Sequence, residues 1–222
     1  MKKESIEKEL REEWFKEHKA KLETLSDDVS ILTWREPGTN SYYVRYVFDY
    51  NKIYITGDLG DAVLNIYDKV DLEKAASFDI YYFHKKISAM DEETWSFNEE
   101  KAIKRLKEEI KQIEERKLEY LGLDDIAELE RELTDEEERK VSLIDEEIEI
   151  FERMIDSVEG CSSRSNWVQC VYSEYLDSIS DYDSDFYEWI FNIGNDYPRS
   201  VQAYLIGLKM ALEQLSKEKV TA

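Results

Sequence analysis

The stretch Gly57-Asp58-Leu59-Gly60-Asp61 sets two carboxylates among two glycines, residue types that in other arrangements cradle a phosphate or hold a divalent cation. A phosphate loop needs bare backbone N–H groups at a helix start and a following Lys-Ser/Thr. Here the acids repel phosphate, and the glycine spacing departs from a dinucleotide-binding fingerprint. A metal-dependent hydrolase built on Asp58, Asp61 and His84 is the enzymatic alternative, with the carboxylates as ligands or as acid and base. Two acids in a loop lack the further oxygen ligands such a site requires, so the stretch reads as a turn in which Asp58 or Asp61 caps the backbone. Asp181, Asp183 and Asp185 alternate as at the start of a calcium loop. Phe186 stands where that loop's glycine belongs, however, and Asn192 where its closing glutamate belongs. Cys161 and Cys170 fit neither a zinc knuckle nor a thioredoxin-like pair and read as buried free thiols. His18 falls on an apolar helical stripe, far in sequence from His84, and reads as a packed core residue. The expectation is a non-enzyme with no metal and no cofactor.

The elements around these residues set the fold class. Residues 3–25 read as an amphipathic helix with Ile6, Leu10, Trp14, His18 and Leu22 four apart. Residues 29–34 and 42–49 are strand candidates, the second with Tyr42, Val44, Tyr46 and Phe48 on one face and Tyr43, Arg45 and Val47 on the other. Tyr50-Asn51 leads to a third strand at 53–56, and residues 62–67 complete a small antiparallel sheet that the N-terminal helix should cover. Residues 72–77 and 80–88 read as short helices. Val201, Tyr204, Leu205, Leu208, Ala211, Leu212 and Leu215 give the last helix a broad apolar face that should lock the body together.

Between these ends lies a charged helical hairpin. Its first arm carries Ile103, Leu106, Ile110, Ile113 and Tyr120 as a heptad seam broken by Lys117. Gly122 can end that arm in the left-handed conformation. The second arm opens on a capping box at Thr134 to Glu137 and continues the seam through Val141, Ile144, Ile148, Phe151, Ile155 and Val158. The expectation is therefore an α+β protein, with a small antiparallel β-sheet packed with helices and a long protruding antiparallel coiled-coil hairpin. Its parts would be 1–96 (helix, sheet and short helices), 97–159 (the acidic hairpin, inserted) and 160–222 (helices packing back on the body).

Charge is uneven along this hairpin. Residues 98–121 hold 7 acids and 7 bases, whereas residues 124–159 hold 16 acids and 4 bases, in a chain whose net charge is -22. A one-signed face costs self-repulsion and points to a basic partner. Phosphate contacts need clustered Lys and Arg, so direct binding to nucleic acid or an anionic membrane is excluded. No apolar run is long enough to span a bilayer and no secretory signal core opens the chain, which reads as cytoplasmic in a bacterial host cell.

Trp34-Arg35-Glu36-Pro37-Gly38-Thr39, Tyr43-Val44-Arg45-Tyr46, Gly57-Asp58-Leu59-Gly60-Asp61-Ala62-Val63, Tyr82-Phe83-His84-Lys85-Lys86 and the ending Ala203-Tyr204-Leu205-Ile206-Gly207-Leu208-Lys209-Met210-Ala211 give the chain a resemblance. It resembles a family of small accessory proteins encoded by phages and mobile elements of Gram-positive bacteria. The likeness covers the two ends and not the hairpin, and it carries over no catalytic residue. It implies a role in the contest between element and host, where inhibitors of CRISPR nucleases are among the proteins such genes encode. The function expected is that of an anti-CRISPR, an inhibitor that presents an acidic surface to a basic, nucleic-acid-handling host protein. A Cas9-type nuclease or its guide-RNA complex is the first candidate. The contact residues expected are Glu136, Glu137, Glu138, Asp145, Glu146, Glu147, Glu149 and Glu152, with Asp181, Asp183 and Asp185 as a second patch. The alternative is a scaffold or homodimerising adaptor that uses the coiled coil to join copies.

Overall fold

Alternation of apolar and polar residues builds a six-stranded sheet. On β3 (Val44–Asp49) the side chains of Val44, Tyr46 and Phe48 are buried while Arg45 and Asp49 are exposed, because successive residues of a strand face opposite ways. Leu32 and Trp34 on β2 (Val29–Arg35), Ile53 and Ile55 on β4 (Lys52–Gly57), and Ala62 and Leu64 on β5 (Ala62–Asn65) repeat the pattern and share one core. With β1 (Lys19–Thr24) and β6 (Ile87–Met90) the strands run in the order β1-β2-β3-β4-β5-β6, every neighbour antiparallel. The computed structural model describes residues 3–123, 132–179 and 185–221. No helix among them is long and apolar enough to cross a membrane.

The chain divides into two compact units. Residues 1–94 and 197–222 form one, and residues 95–196 the other. In the sheet unit, the apolar face is covered by the C-terminal helix α9 (Arg199–Thr221), together with α2 (Leu72–Ala76) and α3 (Ile80–Lys85). The helix comes close to the strands at Gly207, where a Cβ would lie 2.7 Å from Tyr46 Oη and 3.1 Å from Trp34 Cδ1. The Tyr46 hydroxyl donates to the Tyr204 carbonyl at 2.8 Å, and the Tyr204 hydroxyl donates to the Leu59 carbonyl at 2.7 Å. Both phenols titrate above their usual range, chiefly because burial disfavours the phenolate.

Two elements differ from the sequence expectation. The N-terminal helix, α1 (Lys3–Glu9) with a π-helical turn at Leu10–Trp14, stops there, and residues 19–24 form β1. The charged-apolar alternation of that segment lets Leu22 pair with Leu32 across β2, so sheet pairing overrides the four-residue apolar spacing. Likewise α3 ends at Lys85 and residues 87–90 form β6 rather than continuing the helix. The face expected for the N-terminal helix is covered mainly by α9.

The second unit is helical. Its entry and exit strands, β7 (Ser96–Phe97) and β8 (Asn195–Asp196), pair antiparallel. Asn98 caps α4 (Glu99–Leu121) by accepting from the Lys101 N–H at 3.0 Å, and its amide donates to Asp196. Gly122, at φ 67°, closes α4 as expected. α4 packs against α5 (Asp135–Val158) around Leu106, Ile113, Ile144, Phe151 and Met154. α6 (Arg164–Cys170) runs through a π-helical turn at Val171–Tyr175 into α7 (Leu176–Ile179), followed by α8 (Phe186–Trp189). All contribute to the same core, in which Trp167 is fully buried and its indole N–H donates to the Ile190 carbonyl at 2.8 Å. Residues 160–196 therefore fold with α4 and α5, and only the last helix returns to the sheet. The cause is the width of the apolar face of α5, where Ile150 and Met154 add to the narrower seam and the Phe151 ring meets Phe186 and Trp189.

Candidate functional site

The acids of α5 fall into two classes, and the seam decides which is which. Ile144, Glu147, Phe151, Met154 and Val158 are buried positions spaced alternately three and four apart, with Ile150 buried beside them. A carboxylate thus stands inside the seam. Glu147 is 6% exposed and accepts from Arg116 of α4 at 2.8 Å, which offsets the cost of desolvating it. Lys117, the polar break in the first arm, meets Asp145 at 2.6 Å. Arg105 reaches Glu109 at 2.7 Å and lies 4.7 Å from the centre of the Trp189 ring.

These pairings correct the expected contact surface. Glu147 is buried and bonded to Arg116, so it cannot face a partner. Asp145 is held by Lys117. Glu137 closes the capping box, its carboxylate accepting from the Thr134 N–H at 2.8 Å while the Thr134 hydroxyl accepts from the Glu137 N–H at 3.3 Å. Glu136, Glu138, Glu146, Glu149 and Glu152 are exposed. At 3.6 residues per turn, Glu138, Glu149 and Glu152 lie with exposed Asp156 within about a sixth of the helix circumference, along about 27 Å of its length. Asp156 was missed by sequence reasoning, although its position four residues beyond Glu152 signals the same stripe. Asp185 is exposed just before α8, whereas Asp181 and Asp183 lie outside the described residues.

Of the residues considered for chemistry, Asp58, His84 and His18 each meet a backbone group. Asp58 accepts from the Tyr42 N–H at 2.7 Å and holds that residue at φ 55°, where its ring stacks on Trp14 at 4.4 Å. His84 Nε2 lies 2.5 Å from the Thr94 carbonyl. Among the described residues, no group of three His, Cys, Asp or Glu side chains is placed to hold a metal ion. His18 is buried against Phe15 and Trp34, with Nε2 at 3.2 Å from the Tyr42 carbonyl and Nδ1 without a hydrogen bond among the described residues. Burial pulls its pKa below the usual value, outweighing the Tyr42 carbonyl and nearby Glu36. Cys161 and Cys170 are half-buried free thiols, both pushed up in pKa chiefly by burial.

No protein-family model, curated protein or solved structure matches this chain.

Proposed function

We propose that the chain is a non-enzymatic inhibitor that binds a basic, nucleic-acid-handling protein through the outer face of α5, as an anti-CRISPR of phage or mobile-element origin would. A Cas9-type nuclease or its guide-RNA complex is the first candidate partner. The observation that carries this reading is the division of labour among the α5 acids. Ion pairs to Arg116 and Lys117 hold Glu147 and Asp145, while Glu138, Glu149, Glu152 and Asp156 line one exposed stripe. Carboxylates in a row on a rigid helix can occupy Lys and Arg sites built for phosphates and steer fast association.

We also read α4 and α5 as an antiparallel coiled-coil hairpin. Arg116 meets Glu147 and Lys117 meets Asp145, so the partners run in opposite chain directions. Helices of 23 and 24 residues present a face about 35 Å long at 1.5 Å per residue.

The test is capture of host proteins by the tagged chain at low and high salt, beside a variant carrying E138K, E149K, E152K and D156K. The expected outcome is a basic nucleic-acid-handling protein held by the parent at low salt, released at high salt, and lost to the variant. Equal capture by both chains would contradict the reading.

A further inference from the structure

The sheet is open at both ends, and its two edges differ. β6 is four residues long, and its register against β5 shifts between Val63 and Leu64, an irregularity of the kind that turns an edge away from further pairing. β1 is six residues long and pairs with β2 in unbroken register from Lys19 to Thr24. All of it but Ala20 is exposed.

The backbone groups left open on β1 follow from the ladder. The Leu25 N–H donates to the Val29 carbonyl, and in an antiparallel pair the inward-facing residues alternate. Lys21 and Glu23 therefore face β2, while Ala20, Leu22 and Thr24 direct N–H and C=O outward. The Ala20 N–H fits this assignment, because it donates to Gln214 Oε1 of α9 at 2.6 Å. By the same alternation the N–H groups of Leu22 and Thr24 point along the open side of β1. Beside them lies a cavity of about 510 Å³ whose apolar lining includes Leu22, Val29, Leu212 and Leu215, and Leu22 is 40% exposed.

We propose that β1 pairs with the same strand of a second copy, antiparallel about a two-fold axis at Leu22. Leu22 then stands opposite the partner's Leu22 and the two exchange backbone hydrogen bonds. Thr24 donates to the carbonyl of the partner's Ala20, and by symmetry the partner's Thr24 donates to Ala20; the Gln214 carboxamide turns aside, and each Ala20 N–H exchanges it for the carbonyl of the partner's Thr24. Charge selects this register. Lys21 falls opposite the partner's Glu23, and Glu23 opposite the partner's Lys21, on the face away from the cavity. Moving the axis one residue either way would set Lys21 or Glu23 against its own copy, like charges directly opposite. In a single chain Lys21 and Glu23 already meet at 3.1 Å, so both side chains are turned to the same exposed face. The interface is independent of α5 and of the function proposed for it. A net charge of -22 on each copy opposes the approach, so pairing is strongest at physiological ionic strength or above, where that repulsion is screened.

Sedimentation equilibrium of the full chain tests this with a charge swap. The parent is expected to dimerise. K21E and E23K alone each replace attraction by repulsion and should weaken the dimer about tenfold or more. The double variant K21E/E23K restores complementary pairs and should recover the parent's constant. Both positions are exposed, so folding is expected to be unaffected, and circular dichroism checks it. A parent that stays monomeric throughout, a dimer indifferent to the single reversals, or a double variant no better than the singles would each overturn the proposal.

Discussion

The sheet unit and the helical unit solve the same packing problem with different residues. In the sheet unit the strand alternation keeps charge on the outside, and the tyrosine hydroxyls that enter the core reach carbonyls, as Tyr46 does with Tyr204. In the helical unit, acids and bases sit on or beside the seam, with Glu147 bonded to Arg116 and Asp145 to Lys117. Counting charge along a helix therefore overstates the charge it can offer a partner. Carboxylates paired across the seam are not spare.

The largest effect that would sharpen this contrast comes from the two buried tryptophans. Trp167→Ala removes a fully buried ring and its hydrogen bond to the Ile190 carbonyl, and should cost about 3–5 kcal/mol. Hydrogen exchange should place that loss in α4–α8, with the amides of β3 and β4 still protected. Trp34→Ala should cost a similar amount with the reverse pattern. Loss of protection in both units from either change would erase the distinction. Glu147→Ala should be milder, about 1–2 kcal/mol by chemical denaturation, since it strands an Arg116 side chain that remains half in water. A neutral result there would mean that the seam carboxylate is not structural. Thr134→Ala removes the hydroxyl of the capping box and should cost about 1 kcal/mol.

The smallest effect belongs to pH. Since burial depresses the folded-state pKa of His18, the unfolded chain takes up its proton first as pH falls through the ordinary histidine range near 6.5. Stability contributed by neutral His18 is present above that range and declines below it until the folded form also protonates. His18→Gln should flatten the stability profile between about pH 7 and 5.5 relative to the parent. Identical slopes would show that His18 does not titrate out of step with the unfolded chain.

Some of this was legible in residue types alone. The alternation in β3, the caps at Thr134 and Gly122, and the apolar face of α9 each depend on neighbours a few residues away, and the structure has them where the sequence places them. β1 was not legible, because Ile6, Leu10, Trp14 and His18 continue a four-residue spacing to Leu22, and only pairing with β2 breaks it. The buried acid was hidden for a related reason. Two overlapping heptads run through α5, one through Ile148 and Ile155, the other through Glu147 and Met154, and the second is the more deeply buried. Choosing between them requires Arg116, which comes from another helix. The same holds for the Asp58 carboxylate, whose use depends on the Tyr42 N–H sixteen residues before it.

The most direct test of the central claim is equilibrium binding of the purified chain to a guide-RNA-loaded Cas9-type nuclease over a range of salt. The parent, the E138K/E149K/E152K/D156K variant and a Glu147→Gln control would be measured in parallel. The parent's affinity is expected to fall steadily with salt, the fourfold variant to bind at least about tenfold more weakly with a shallower salt slope, and Glu147→Gln to bind as the parent does. A fourfold variant that binds with the parent's affinity and slope would contradict the role assigned to the outer face of α5.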